Sequence, residues 1–146
     1  MLSLELCPAL ESDAESLVAL RIAAMRESLE RLGRFDPIRA RDRFLANFTP
    51  AHTRHIELER QRVGFVVVKP AEHEWLLDHL YVHPTFQRRG IGGVVLTMVF
   101  AEADAAQKTL RVGALRESAS NQFYQRHGFI KTSEGEWDIY YQRAPN

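Results

Sequence analysis

The residues with the clearest capacity for chemistry form one glycine-bearing run in the second half of the chain. The run reads Gln87, Arg88, Arg89, Gly90, Ile91, Gly92 and Gly93. It lies between a strand-like segment and a helical pattern, and the first amides of a helix are unpaired at the positive end of its dipole. Glycine lets that backbone approach a phosphate closely, and arginine adds side-chain donors. The run therefore predicts an anion site, although a tight turn with solvated arginines would use the same residues.

The spacing of the run excludes two common phosphate loops. No Lys followed by Ser or Thr ends it, as a P-loop requires. Gly90, Gly92 and Gly93 also lack the Rossmann spacing. A nucleotide-binding domain of either kind is therefore disfavoured.

The segments around the run indicate the elements that position it. Residues 55–58, 63–69 and 75–83 are strand-like and separated at hairpin spacing, which predicts an antiparallel meander. A helix is predicted from Gly90, followed by a buried strand at 110–115. A short helix at 118–127, closed by Gly128, and a last strand or strand pair at 137–142 complete this part.

The first third of the chain indicates a strand and two helices. Residues 2–7 alternate as a half-buried strand does. Ser12 and Glu15 have the spacing of a capping box, and the helix that follows is expected to end at Gly33. Asp36 before Pro37 predicts the start of the second helix. The element order predicts an α+β fold with a mostly antiparallel sheet, in one domain over residues 1–146.

Composition narrows the class of protein. The chain has 146 residues, with 19 basic and 19 acidic side chains, and this balance disfavours a nucleic-acid binder. No segment has the length needed to span a bilayer, and the start lacks the pattern of a signal peptide, so we expect a cytoplasmic protein without membrane contact. The single cysteine, Cys7, cannot form an internal disulfide and is interpreted as a small core residue.

Two motifs resemble one known family. The stretch from Leu80 to Gly92 is similar to the signature of the GNAT superfamily of acetyl-CoA-dependent N-acetyltransferases. The second hallmark, Phe123 to Phe129, follows at the usual distance. The resemblance implies the GNAT fold, a central mixed and mostly antiparallel sheet of six to seven strands flanked by about four helices. It also implies acetyl-CoA as cosubstrate, an amine as acceptor, and a homodimer as a common assembly.

The resemblance implies roles for backbone groups. In the family, the amides of the glycine-bearing run hold the CoA pyrophosphate. The strand before it pairs with pantetheine, which implies a cofactor role for Leu80, Tyr81 and Val82. Family members commonly have an Asn seven residues before the motif tyrosine, where this chain has Glu117, so Asn121 is the candidate for that contact.

Tyr124 and Asp78 are the candidate catalytic residues. Tyr124 matches the tyrosine that serves as general acid in many family members, and its phenol is protonated at neutral pH; the alternative is that it packs the last helix against the sheet. Asp78 is the candidate base, with Glu74, His79 or no dedicated base as alternatives, and a structural ion pair as the other interpretation of the carboxylate. A non-catalytic CoA-binding module on the same fold is the alternative function.

Two arginines and two histidines offer weaker indications of function. Arg21 and Arg26, on the first predicted helix, could bind a carboxylate-bearing amine, although ordinary surface arginines are the favoured interpretation. His52 and His55 lack a third ligand in register, so no metal site is predicted.

Overall fold

The computed structural model describes residues 3–146 as a seven-stranded sheet with four α-helices. The strands are β1 (Leu4–Pro8), β2 (Thr53–Leu58), β3 (Gln61–Pro70), β4 (Glu74–Val82), β5 (Thr109–Leu115), β6 (Ile130–Glu134) and β7 (Asp138–Arg143). The helices are α1 (Ala14–Arg31), α2 (Pro37–Asn47), α3 (Ile91–Ala105) and α4 (Ser120–Arg126). The strand order is β1-β2-β3-β4-β5-β7-β6. The predicted α+β class with a mixed sheet is confirmed.

The sheet contains both antiparallel and parallel strand pairs. β1 with β2, β2 with β3, β5 with β7, and β6 with β7 pair in antiparallel fashion. β4 and β5 pair in parallel, which requires a long crossover connection, and α3 lies in that connection. The predicted strand pair at the end of the chain is present, with β6 ahead of β7.

Local capping signals explain how the second helix starts and the first one ends. The Asp36 carboxylate accepts a hydrogen bond from the Arg39 amide at 3.1 Å, and Pro37 is the first helical residue. At the end of α1, Gly33 has a φ of +68°. Its amide donates to Glu30 and the next amide, Arg34, donates to Leu29, as in a Schellman motif.

The start of α1 differs from the predicted capping box at Ser12. A short 3-10 turn, Glu11–Asp13, precedes the helix, which begins at Ala14. Asp13 accepts the Leu10 amide at 2.8 Å, and its carboxylate also contacts the His55 ring.

Two compact units divide the chain. The first comprises residues up to Val67 together with His79–Gly92. Its core joins α1, α2 and the central strands through buried, mainly apolar side chains. These are Ala9, Leu17, Val18, Phe44, Phe65 and Val67. Cys7, in β1 of this unit, is partly exposed, and burial together with the Glu57 carboxylate raises the pKa of its thiol.

The second unit comprises Val68–Asp78 and Gly93–Asn146. Its most deeply buried residues come from α3 and β5, where Val95, Leu96, Val99 and Leu110 have no exposed surface. α3 is nevertheless only 15 residues long. Within residues 3–146, no helix combines the length and the apolar character that crossing a membrane requires.

Candidate active site and cofactor loop

The loop that leads into α3 is tied to the end of β4. His83 Nδ1 accepts the Thr85 amide at 3.1 Å, at the start of the 3-10 turn Pro84–Phe86. The Gln87 side-chain amide donates to the Val82 carbonyl at 2.8 Å. These bonds fix where the chain leaves the strand, and α3 then begins at Ile91. The strand, loop and helix follow in the order that the sequence predicted for an anion site.

The loop backbone has two residues in the left-handed region. Arg88 has a φ of +65° and Gly90 a φ of +80°. No atom lies within 4 Å of the position where a Cβ on Gly90 would be, so space is not the restriction there. A side chain at Gly90 is disfavoured because the backbone conformation itself is strained for any residue with a Cβ.

The charges near the start of α3 favour an anion. No acidic residue lies in the first turn of the helix. Arg88 and Arg89 precede it, and the Arg89 guanidinium lies 5.3 Å from the centre of the Phe86 ring. The helix start therefore combines the positive end of a dipole with two cations.

Gly93, in the first turn of α3, packs against the end of α4. A Cβ on Gly93 would lie 3.0 Å from His127 Nε2. The other ring nitrogen, Nδ1, lies 2.9 Å from the Phe123 carbonyl oxygen, which can only accept, so Nδ1 donates this bond. His127 was not among the predicted site residues, because its contact with Gly93 joins residues far apart in the chain.

β4 continues beyond its pairing with β5. The parallel register joins Glu74–Leu77 to Thr109–Val112 and ends there, while β4 runs on to Val82. Leu80, Tyr81 and Val82 therefore lie past the last residue that this register pairs with β5. The Tyr81 ring packs on Phe65 at a centroid distance of 5.6 Å.

The candidate bases on β4 have charged or aromatic neighbours. Asp78 Oδ2 lies 3.0 Å from Lys69 Nζ, and Glu74 Oε1 lies 2.9 Å from an Arg111 nitrogen. The His79 ring packs between aromatic rings, including Phe44 at 5.6 Å. The ion-pair interpretation of Asp78 thus describes its contact in this structure, and its role as a base stays a prediction.

Tyr124 is buried in the second unit, with 6% of its surface exposed. Its ring meets Phe129 edge-on at 5.3 Å and lies 6.5 Å from Tyr141. Packing against the neighbouring elements is therefore one of its roles, as the alternative interpretation held. The acid role stays a prediction.

Asn121 anchors the start of α4. Its amide nitrogen donates to the Leu115 carbonyl at 2.9 Å and to the Ser118 carbonyl at 3.0 Å, while its oxygen accepts from the Tyr141 hydroxyl at 2.8 Å. Glu117, which lies in this turn, has a φ of +65°. Asn121 therefore has a clear structural function, and its contact with a cofactor stays a prediction.

The predicted site residues fall into two groups. The first unit holds Leu80–Val82 and the loop from Gln87 to Gly92. The second unit holds Asp78, Gly93, Asn121 and Tyr124. In the first group the predicted contacts involve mainly backbone atoms, and in the second they involve mainly side chains.

An ionic cluster near β1 was not predicted. His55, buried in β2, has its Nε2 2.9 Å from Asp13 Oδ2, and Arg62 lies 3.3 Å from the other carboxylate oxygen. The hydrogen bond from His55, followed by that from the Leu10 amide, lowers the pKa of Asp13 to about 2. No group of three metal-ligating side chains occurs in the part of the chain that the structure describes.

The comparison with family models identifies the class of protein that this fold and loop define. The model of the Acetyltransferase (GNAT) domain matches residues 51–131, more than half of the chain. The chain therefore belongs to the GNAT acetyltransferase family, and the resemblance seen in its two motifs is confirmed. No curated protein matches the chain.

Solved structures share the fold over nearly the whole length. The PaiA N-acetyltransferase of Thermoplasma acidophilum, crystallised with coenzyme A, has a TM-score of 0.79 at 15% identity, covering 97% of this chain and 99% of its own. An acetyltransferase of Thermus thermophilus has a TM-score of 0.76 at 19% identity, covering 97% and 96%. An N-acetyltransferase of Staphylococcus aureus has a TM-score of 0.73 at 12% identity, covering 95% and 100%. At these identities the likeness establishes the fold.

Proposed function

We propose that this protein is an N-acetyltransferase that moves the acetyl group of acetyl-CoA to a primary amine within a ternary complex. The observation that carries the proposal is the loop from Gln87 to Gly92. It joins β4 to α3, contains a glycine with a φ of +80°, and lies inside the region that the family model matches. A neighbour of the same fold, PaiA, was crystallised with coenzyme A, which supports the choice of cofactor.

The cofactor is held mainly by backbone groups in this proposal. The amides from Gln87 to Gly93 bind the pyrophosphate, with Arg88 and Arg89 adding charge. Leu80, Tyr81 and Val82 offer the backbone of β4 beyond its pairing with β5, and pantetheine pairs there as an added strand does.

The chemical step is a direct attack. The nitrogen lone pair of the neutral amine forms a bond to the thioester carbonyl carbon, and the C–S bond breaks as the tetrahedral intermediate collapses. The thiolate of CoA takes a proton from the Tyr124 hydroxyl, and the nitrogen loses one. Tyr124 serves as general acid because a phenol is protonated at neutral pH.

Asp78 is the proposed acceptor of the amine proton, directly or through water. Its ion pair with Lys69 competes with the amine proton for the carboxylate oxygen atoms. A mechanism without a dedicated base needs only water and an amine that is partly neutral at the working pH.

The proposal is tested by thiol release from acetyl-CoA against a panel of amines, amino acids, polyamines and peptides. Release that depends on an amine, together with an acetylated product of the expected mass, supports transfer. Calorimetric binding of acetyl-CoA without turnover of any amine favours the alternative, a non-catalytic CoA-binding module. The buried ring of Tyr124 and the ion-paired Asp78 are the observations that favour this alternative. The cytoplasmic location and the homodimer stay predictions from the sequence.

A further inference from the structure

Arg21 lies on the inward face of α1. Leu17 and Val18, four and three residues earlier, are buried in the core of the first unit. Residues at these spacings share one face of a helix, so Arg21 points toward the same side as the core residues. A cation at such a position is unusual unless an anion accompanies it.

No protein anion accompanies Arg21 among residues 3–146. Its one hydrogen bond there runs from Nη1 to the Ala40 carbonyl at 3.4 Å, at the long limit for such a bond. Its Nε is shielded from solvent and has no hydrogen-bond partner. The residue as a whole is partly exposed.

A second arginine between the same two helices does have a carboxylate partner. Arg41 on α2 donates to both oxygens of Glu15 next to the start of α1, at 2.5 and 3.3 Å. Arg21 spans the same two helices without a carboxylate. Placing an unmatched cation on an inward face lowers stability, and such departures from good packing are typical of binding sites.

Arg21 lies in the layer that covers β4. Ala40, its partner, is one helical turn before Phe44 on α2. The Phe44 ring packs on His79 at 5.6 Å. His79 precedes Leu80–Val82, the segment proposed to pair with pantetheine. Arg21 therefore contacts a helix, α2, that itself packs on the strand carrying Leu80–Val82.

We propose that the acceptor of this enzyme is an amine that also carries a carboxylate, and that Arg21 binds this carboxylate. The inference rests on the proposed acetyl transfer. The planar fork of a guanidinium matches the two oxygens of a carboxylate, and the incoming group replaces the long bond to Ala40.

The test uses matched trios of acceptors, each an amino acid, its carboxamide and the amine that lacks the carboxyl group. The carboxyl group is placed at increasing distances from the amine across the trios. Thiol release should favour the acid in at least one trio. Arg21→Met should raise KM for that acid by about ten- to a hundredfold, since it removes a charge-assisted bond, and leave KM for the carboxamide nearly unchanged. Arg21→Lys keeps the charge but loses the planar fork of donors, so its KM for the acid should lie between those of the native protein and Arg21→Met.

Stability measurements separate binding from a structural role. Arg21→Met should leave the melting temperature unchanged or raise it, because it replaces an unmatched cation with an apolar side chain. Arg41→Met is the matched control, since it breaks a contact between the same elements and should leave KM for every acceptor unchanged. A large fall in melting temperature on Arg21→Met, with equal loss for acid and carboxamide, would overturn the proposal.

The outcomes also separate this inference from the proposed function. Transfer to amines irrespective of a carboxylate, unaffected by Arg21→Met, overturns the inference and leaves the acetyltransferase standing. A preference for phosphate-bearing amines over acids also overturns it. If no amine releases thiol, the proposed function fails. The carboxylate site at Arg21 is then tested by thermal stabilisation of the protein with the same amino acids. Stabilisation of the native protein that Arg21→Met abolishes supports the carboxylate site, and equal or absent stabilisation rejects it.

Discussion

The two compact units place their candidate functional groups in different kinds of structure. In the first unit, the loop before α3 depends on backbone conformation, and a Cβ on Gly90 would meet open space. In the second unit, Tyr124 and Asn121 depend on side-chain contacts, with Tyr124 buried among other rings. A site made of backbone groups tolerates changes of its side chains but not of its dihedral angles, whereas a site made of packed side chains is sensitive to the side chains themselves. Substitutions that alter backbone conformation should therefore have their largest effect in the first unit, and substitutions that remove a side-chain group should have theirs in the second.

Replacing Gly90 by valine is the strongest test of the backbone site. Valine disfavours a φ of +80°, so the loop should lose its conformation and the affinity for acetyl-CoA should fall by about a hundredfold or more, measured by calorimetry. Gly33→Val is the matched control, because Gly33 has a φ of +68° and equally open surroundings outside the loop. It should lower stability and leave the affinity unchanged. Unaltered affinity in a variant with valine at both Gly90 and Gly92 would contradict the loop assignment.

Tyr124→Phe tests the side-chain site. The ring and its packing remain, so acetyl-CoA binding should persist while kcat falls by about a hundredfold through loss of the general acid. Tyr141→Phe is the control in the same cluster. It removes the hydroxyl bond to Asn121 and should cost about 1 kcal/mol in the free energy of unfolding without changing kcat. Equal kcat values for Tyr124→Phe and the native protein would leave Tyr124 with packing alone.

Gly93→Ala sharpens the comparison, because here a glycine is required by a neighbour rather than by its dihedral angles. The added Cβ would lie 3.0 Å from His127 Nε2, and chemical denaturation should show a loss of about 1 kcal/mol. Combining it with His127→Ala should remove most of that interaction. Gly135→Ala, whose Cβ would meet only the Tyr140 side chain at 3.6 Å and a backbone oxygen at ordinary distance, should be nearly neutral. A double variant that shows simple additivity would refute the coupling.

The smallest expected effect concerns two carboxylates, one in each unit, whose pKa is lowered to about 2. Bonds from His55 and the Leu10 amide lower that of Asp13, and bonds from Lys131 and Arg116 lower that of Glu134. Each lowered pKa stabilises the folded state above the unfolded value of 3.8 or 4.5, and this stabilisation is lost as the pH falls toward 2.

The side chain of Asp13 is 13% exposed and that of Glu134 is 45% exposed, so screening should weaken the second effect. The change in denaturation midpoint between pH 6 and pH 3 should therefore be reduced more by Asp13→Asn than by Glu134→Gln. A larger reduction of the pH dependence by Glu134→Gln than by Asp13→Asn would contradict this order.

Local signals allowed much of this fold to be predicted from the sequence. Asp36 with Pro37, and Gly33, identify helix ends through contacts within a few residues. The glycines of the loop were recognisable because each backbone requirement is local. β6 was predicted only as one member of a strand pair, because all its residues are exposed and it lacks an alternating apolar pattern.

Contacts between distant residues could not be predicted. Asp13 and His55 are 42 residues apart, and their bond lies at the start of α1, where the sequence predicted a capping box at Ser12. The inward position of Arg21 also depended on tertiary structure. Its sequence neighbours made it resemble an ordinary surface arginine, and it is distinguished by the burial of Leu17 and Val18 on the same face and by its own shielded Nε.

The early end of the pairing between β4 and β5 has a consequence for how the chain behaves in solution. A strand that continues past its partner offers amides and carbonyls that a second polypeptide can adopt as a template. If pantetheine occupies Leu80–Val82 as proposed, the cofactor also shields this edge from self-association. Purified protein should then aggregate more slowly with coenzyme A present, independent of any turnover.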